Sequence, residues 1–276
     1  VSGSISPAHG GATVTLTYTK PDSSVVTRTV TTTATGGYSD TYTPDKVGSW
    51  SVKASWPGDE DHNGATSSTV SFMVSKASSS ISCSLSSSTL FVGDTVTISG
   101  SISPAHPSVI VYLQYSLDGG STWTTIASKT TNSTGAYSHT WMPSLGSYLI
   151  RAYWNGDGDH NGATSPSQAL SVVKSGSSIS CTLNPASITI GALTTVSGSI
   201  SPAHTASVTI RYSTDGGATW ITLATTTSLS DGSYSYGWTP PAVGTYKVKA
   251  SWAGDEDHEG VESPTQTLTV AKASST

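Results

Sequence analysis

The chain has 276 residues and a net charge of −5, and only 11% of its residues are charged. This balance excludes the basic surface that nucleic-acid binding requires, and it offers no attraction to an anionic membrane surface. No apolar run approaches the roughly 20 residues that span a bilayer. We therefore expect neither nucleic acid as a partner nor membrane insertion of this segment.

The composition predicts an all-β protein. Phe and Met occur twice each, whereas the chain has 12 Tyr, 8 Trp and many Ser, Thr and Val residues. Thr, Tyr, Val and Ile fit the pleated, half-buried surface of strands, and Ser and Gly favour turns. The uncharged polar surface that results is common outside the cell, so we expect an extracellular or cell-surface location.

Three copies of one unit follow each other along the chain. GSISPAH begins at positions 3, 100 and 198, and GD-x-DH begins at positions 58, 156 and 254, a period of 98 residues. Such a period is typical of a small domain rather than a solenoid repeat. The predicted domains are 1–76, 77–174 and 175–276, with very short linkers between them.

The first unit is expected to be incomplete at its N-terminal side. Its opening residues Val1-Ser2-Gly3 align with Val196-Ser197-Gly198 of the third unit. The first strand and most of the second strand of the third unit therefore have no equivalent in the first unit. A sandwich without that edge exposes apolar surface and unpaired backbone. We expect either upstream sequence of a longer array or a strand from another chain to complete it.

Alternation of apolar and polar residues predicts seven strands in the second unit. In chain order they are SISCSL, DTVTISGSI, VIVYLQY, WTTIASKT, GAYSHTW, GSYLIRAYW and QALSVVK. Seven short strands with turns between them, within about 100 residues, predict an immunoglobulin-like (Ig-like) sandwich. An aromatic residue lies at the start of the sixth strand in each unit (Trp50, Tyr148, Tyr246), where this fold places its tyrosine corner.

The end of the sixth strand carries a family resemblance. ASWPGDEDHNGATS, AYWNGDGDHNGATS and ASWAGDEDHEGVES resemble the A-x-Y/W-x-G-D pattern of tandem Ig-like repeats in bacterial and archaeal surface proteins. The resemblance covers all three units, although His replaces the usual Tyr. It implies a spacer, stalk or adhesive array on a cell surface, and it implies no ligand.

Two loops gather the residues that could bind a metal ion. In an Ig-like order, SPAH and GD-x-DH lie at the same end of the sandwich, which we expect to face the next domain. The oxygen donors of the GD-x-DH loops are Asp59, Asp61, Asn63, Asp157, Asp159, Asn161, Asp255, Asp257 and Glu259. The histidines of the two loops are His9, His62, His106, His160, His204 and His258.

Three interpretations of these loops stay open. Counted from the first Asp of GD-x-DH, acids or amides stand at loop positions 1, 3 and 5 and Gly stands at position 6, which resembles the start of a calcium loop. The Glu expected at loop position 12 is missing. The histidines suit zinc, although no His-x-His or Cys pair supports it. Alternatively, Gly-Asp forms only a tight turn and a His packs over a Trp. No cofactor is certain, and Ca²⁺ is the first candidate.

The remaining motifs predict structure rather than chemistry. SLDGGSTW and STDGGATW resemble the Asp box of sialidases, which in those enzymes is a hairpin turn, and we expect Trp123 and Trp220 to cover the sheet. Cys83 and Cys181 lie at equivalent positions and are expected to be buried and inert. Asn132 begins an N-S-T sequon that could carry a glycan. No nucleophile accompanies the Asp–His pairs, so we expect no catalysis.

These observations predict three tandem Ig-like β-sandwiches, the first truncated at its N-terminus, in an all-β chain. The predicted function is a non-catalytic repeat segment of an extracellular stalk, filament or adhesin that spaces or links cell surfaces. The expected partners are neighbouring copies or further Ig-like repeats of the array, and other cell-surface proteins or glycans. The alternative is an array of carbohydrate- or ligand-binding modules attached to a secreted enzyme, which exposed aromatic rows would favour.

Overall fold

The computed structural model describes residues 1–274, and every regular element in them is a strand. The first domain contains β1 (Ser2–Ser4), β2 (Thr13–Thr19), β3 (Val25–Thr31), β4 (Gly37–Ser39), β5 (Gly48–Gly58), β6 (Asn63–Thr66) and β7 (Val70–Val74). The second contains β8 (Ser80–Ile81), β9 (Ser84–Leu85), β10 (Thr89–Phe91), β11 (Val96–Ser103), β12 (Ile110–Ser116), β13 (Thr124–Thr130), β14 (Ala136–Trp141), β15 (Gly146–Gly156), β16 (Asn161–Thr164) and β17 (Gln168–Val173). The third contains β18 (Ser178–Ile179), β19 (Thr182–Asn184), β20 (Ser187–Thr189), β21 (Thr194–Ser201), β22 (Ser207–Ser213), β23 (Ile221–Thr227), β24 (Ser233–Trp238), β25 (Gly244–Trp252), β26 (Val261–Glu262) and β27 (Gln266–Ala271).

Two sheets face each other in the second and third domains. In the second domain, β14, β11, β8 and β9 form one sheet, and the other has the order β10-β17-β15-β12-β13 with β16 beside β15. The third domain repeats this arrangement from β18 to β27. Alternate residues of the long strands are buried, as in β15, where Tyr148, Ile150, Ala152 and Trp154 all face the core. The fold is therefore a series of tandem Ig-like sandwiches.

The predicted corner on the sixth strand is present in all three domains. The hydroxyl of Tyr148 donates to the carbonyl of Ser144 at 2.9 Å, and that of Tyr246 donates to the carbonyl of Ala242 at 2.8 Å. In the first domain, Trp50 Nε1 makes the corresponding bond to a carbonyl four residues upstream, at 2.8 Å. Each bond ties the loop before the sixth strand to the core.

Two strands of the second domain were not predicted, namely β10 (Thr89–Phe91) and the short β16 (Asn161–Thr164), which pairs with the end of β15. Thr89–Phe91 pairs in parallel with the last strand of its domain, and Ser187–Thr189 does the same in the third domain. The first segment of each domain thus begins on one sheet and crosses to the other. The three-residue strand is too short to show an alternation, so the sequence pattern could not separate it from the loop around it.

The described residues of the first domain form a smaller core, because they include no counterpart of β8 and β9. Eight hydrophobic residues are buried in its core, against 15 in each of the other two. Its β1 pairs only with β4, whereas the equivalent β11 of the second domain also pairs with β8 and β9. A groove of about 230 Å³, bordered by Ile5, Tyr38 and Trp56, lies beside β1.

Candidate functional site

Each GD-x-DH loop is a turn that its Gly and first Asp build. Gly156 has a φ of 81°, and a Cβ there would lie 2.6 Å from the carbonyl oxygen of His160, so only Gly fits. The Asp157 carboxylate accepts the amides of Asp159 at 2.9 Å and His160 at 2.7 Å. The same bonds recur in the other two copies. The turn predicted for these loops is therefore present.

Backbone amides also set the charge of the turn. The amide of Asp159 holds the pKa of the Asp157 carboxyl below its usual value, while partial desolvation opposes this effect and the amide of His160 adds to it. The carboxylate therefore stays ionised at neutral pH, as a metal ligand must.

The histidine of each SPAH loop lies over the sandwich and points at this turn. His106 Nδ1 lies 2.6 Å from the carbonyl oxygen of Pro104, and its ring packs on Trp154 with centroids 4.5 Å apart. Only 11% of its side chain is exposed. It is thus this histidine that packs over the Trp at the end of the sixth strand.

In the first two domains the loops bring two histidines and one aspartate together. His9 Nε2 lies 3.3 Å from Asp59 Oδ2 and 3.1 Å from His62 Nδ1, and His62 Nδ1 lies 3.2 Å from Asp59 Oδ1. In the second domain, Asp157 Oδ2 lies 3.2 Å from His106 Nε2, and its Oδ1 lies 3.3 Å from His160 Nδ1. We name these the first and the second His-Asp-His cluster.

The third domain arranges the same residue types differently. His204 and His258 stack with ring centroids 5.8 Å apart, whereas the histidine rings of the first two clusters meet edge to face at 4.4 Å. His204 Nε2 lies 3.7 Å from Asp255 Oδ2 and is buried without a hydrogen-bond partner. Within residues 1–274, ligand atoms of three residues converge in the first and second clusters but not at this third position.

The other predicted oxygen ligands do not join the clusters. Asp61 and Asp159 lie outside them. Asn63 and Asn161 begin β6 and β16, and the side chain of Asn161 donates to the carbonyl of Lys76 at 3.4 Å. In the third domain, Asp257 and Glu259 use backbone groups to bind the preceding linker. Calcium binding at these loops stays a prediction, and neither Asp61 nor Asp159 supports it by joining a cluster.

The GD-x-DH loops have a second contact that the sequence did not suggest. The Ala77 amide donates to the carbonyl of Asp159 at 2.8 Å, and the amide of Asn161 donates to the carbonyl of Ala77 at 2.9 Å. Lys76 Nζ donates to the carbonyl of Asp157. The expectation that this pole faces the next domain is wrong, because the linker that precedes the domain pairs with its GD-x-DH loop.

The second linker makes the same contact with the third domain. The Ser175 amide donates to the carbonyl of Asp257 at 2.8 Å, and the amide of Glu259 donates back to the Ser175 carbonyl at 2.9 Å. Lys174 Nζ reaches the carbonyl of Asp255. Lys76 and Lys174 occupy equivalent positions one period apart, and this recurrence was the sequence signal for the contact.

The remaining candidate residues have structural roles. Asp118 accepts the amide and hydroxyl of Thr122, and the ring of Trp123 lies 3.9 Å from the Arg151 guanidinium, so the Asp box is a turn and its Trp covers the sheet. Cys83 is buried, and burial raises the pKa of its thiol. Asn132 lies in an exposed turn, where its side chain accepts two backbone amides.

The comparisons with known proteins agree with the fold. Residues 181–271 match the family model of the bacterial Ig-like domain (group 3). The third domain is therefore similar to the bacterial Ig-like domain, and the repeated motifs and strand order extend this resemblance to the tandem units before it. No curated protein matches the sequence.

Several solved structures are similar to the chain at low identity and low TM-score. The tetra-tandem repeat in the extending region of a large adhesion protein is 22% identical over 99% of this chain and 70% of that chain, with a TM-score of 0.44. Activated Escherichia coli alpha-2-macroglobulin is 11% identical over 96% of this chain and 30% of that chain, with a TM-score of 0.30. The FN1–FN3 domains of chicken CNTN1 are 13% identical over 98% and 99%, with a TM-score of 0.27. These values carry no information about function.

Proposed function

We propose that the chain is a non-catalytic structural segment of an extracellular stalk, filament or adhesin, which spaces or links cell surfaces. The observation that supports the proposal best is the docking of each linker on the next domain, at Ala77 and at Ser175. A linker that pairs with the loop beyond it restricts the angle between two domains. An array with restricted junctions keeps its ends apart, which is what a spacer does.

The proposed location of this segment is the outside of a cell. Within residues 1–274, no helix is long and apolar enough to cross a membrane. A bacterial Ig-like domain with an uncharged polar surface suits the outside of a cell, and we propose that location for this segment.

The terminal strands of the second and third domains suit a segment under tension. β10 and β17 run in parallel and lie near the two ends of their domain, joined by bonds such as that from the Val92 amide to the carbonyl of Val173, at 3.0 Å. β20 and β27 repeat this pair. Because tension along the chain pulls the paired strands in opposite directions, it loads their hydrogen bonds together rather than one after another. The described part of the first domain has no such parallel pair.

Single-molecule force spectroscopy on the whole chain tests the proposal. We expect two unfolding events at high force, each releasing about 300 Å of chain, since 98 residues extend to roughly 340 Å and the folded domain spans about 40 Å. The first domain should unfold at lower force. Extension of all three domains at low force, without separate events, would contradict the spacer function.

A further inference from the structure

We propose that the first and second His-Asp-His clusters each bind one divalent transition-metal ion, with Zn²⁺ as the ion that fits them best. The ligands are His9 Nε2, His62 Nδ1 and an oxygen of Asp59 in the first cluster. His106, His160 and Asp157 supply the same atoms in the second. The proposal concerns a binding site and does not depend on the spacer function.

The spacing of the ligand atoms is that of a tetrahedral site. Ligands about 2.0 Å from a tetrahedral zinc lie about 3.3 Å from one another. In the first cluster His9 Nε2 lies 3.1 Å from His62 Nδ1, while Asp59 approaches His9 through Oδ2 at 3.3 Å and His62 through Oδ1 at 3.2 Å. In the second cluster, Asp157 lies 3.2 and 3.3 Å from its two histidines. An ion can thus enter without a change of backbone, and the fourth position is left for water.

The surroundings of each cluster fix the SPAH histidine and the aspartate in the form that binds a metal. His9 and His106 place Nδ1 2.6 Å from the carbonyl oxygens of Pro7 and Pro104. A carbonyl only accepts, so Nδ1 carries the proton and the lone pair of the neutral ring is on Nε2, inside the cluster. Zinc-binding histidines are oriented by this kind of bond, and the amides on Asp59 hold its carboxylate in the same way.

The lone pair of the SPAH histidine Nε2, which faces the carboxylate, also favours binding of a cation. Nε2 of His9 faces a carboxylate oxygen 3.3 Å away, and neither atom has a hydrogen to place between them when the ring is neutral. A cation bound by both atoms removes this repulsion. A proton on Nε2 would also remove it, so the experiment must distinguish a metal from an imidazolium ion.

The chemistry of the donors favours zinc over calcium. Calcium takes six to eight oxygen ligands, whereas each cluster offers two imidazole nitrogens and one carboxylate. Imidazole suits zinc, copper and nickel. The site therefore departs from the calcium loop that the spacing of acids in GD-x-DH suggests.

The third domain supplies a comparison within the same chain. It has the same residue types, but its histidine rings stack and His204 Nε2 lies 3.7 Å from Asp255. His258 Nδ1 lies 3.0 Å from Asp255 Oδ1, but the ligand atoms of all three residues do not converge there. We therefore expect two tightly bound ions for the whole chain rather than three.

Zinc binding to the whole chain, produced without a histidine tag, tests the proposal. We expect isothermal titration calorimetry at pH 7.5 to give two sites for Zn²⁺, and no heat with Ca²⁺ at the same concentrations. The variant His9→Gln with His106→Gln should lose both sites, whereas the matched control His204→Gln should keep both. Circular dichroism checks that each variant is folded.

X-ray absorption at the zinc edge gives a readout that does not depend on the variants. We expect nitrogen and oxygen neighbours at about 2.0 Å with the outer-shell pattern of two imidazoles. Absence of zinc binding, binding retained by the folded double variant, or a zinc shell without imidazole would each overturn the proposal. If a proton rather than a metal ion occupies Nε2, the titration should show no zinc binding.

Discussion

Replacing Ala77 by proline removes one of the two backbone hydrogen bonds that join the first linker to the second domain. The amide of Ala77 donates to the carbonyl of Asp159 at 2.8 Å, and proline has no amide hydrogen. The bond from Asn161 to the Ala77 carbonyl can still form. The substitution therefore weakens the docking of the linker without changing either core.

The structure gives the size of the effect. Each backbone bond contributes about 1 kcal/mol net, and fixing the backbone of Ala77 costs about 1–2 kcal/mol. With the further contact of Lys76, the docked linker is favoured by roughly 1 kcal/mol, a ratio of about five to one. Loss of one bond brings docked and undocked linkers to about equal populations.

Distances between spin labels measure this change. Thr27 and Thr124 are exposed on β3 and β13, in the first and second domains, and can be replaced by labelled cysteines because the native Cys83 is buried. We expect a narrow distance distribution in the parent chain and a markedly broader one in Ala77→Pro.

The matched control is Ser78→Pro, since the Ser78 amide makes no hydrogen bond in the described part of the chain. Its distance distribution should stay narrow. Equal widths for Ala77→Pro and the parent would refute the reasoning that the linker bonds hold the junction.

Three further predictions concern the domains themselves. Gly100→Ala places a Cβ 2.0 Å from the carbonyl oxygen of Ser82, between β8 and β9, and should destabilise the second domain by about 2 kcal/mol or more in urea unfolding, whereas Gly3→Ala meets only a tyrosine side chain in the first domain and should be mild. Tyr148→Phe loses the corner bond, so the unfolding free energy should fall by about 1 kcal/mol and Tm by about 4–8 °C in calorimetry; an unchanged Tm would argue against the corner. The hydroxyl and amide of Thr122 hold the pKa of Asp118 well below its usual range, so this stabilisation is present above the unfolded pKa, near 4, and is lost as pH falls toward the lower folded value. Acid titration of unfolding should show a smaller pH dependence in Asp118→Asn, and an equal dependence would count against that assignment.

The sequence was sufficient to predict the fold because its repeats and alternation are strong signals. The buried positions of β15 follow the period of two that the sequence shows, and the corner tyrosine was recognised from its place on the sixth strand. The parallel strand Thr89–Phe91 was missed because three residues carry no pattern, and its pairing partner lies 82 residues further along the chain.

The candidate site was predicted in part. The sequence indicated that SPAH and GD-x-DH meet at one pole, and the structure brings His9, Asp59 and His62 together there. It could not tell which carboxylate points inward, because the hydrogen bonds that orient Asp59 are made by amides, which every residue has. The contact of the linker with the loop depends mostly on backbone groups, and the recurrence of Lys76 and Lys174 was its one side-chain signal.

Small-angle X-ray scattering of the intact chain tests the central claim, that docked linkers make the array a stiff spacer. Each domain is about 40 Å long, since an 11-residue strand such as β15 spans about 36 Å. Three domains in line give a length of about 120 Å and a radius of gyration near 35 Å, against about 19 Å for a compact globule of this size. A value near 35 Å is the result we predict, and a value of 25 Å or less would contradict the account.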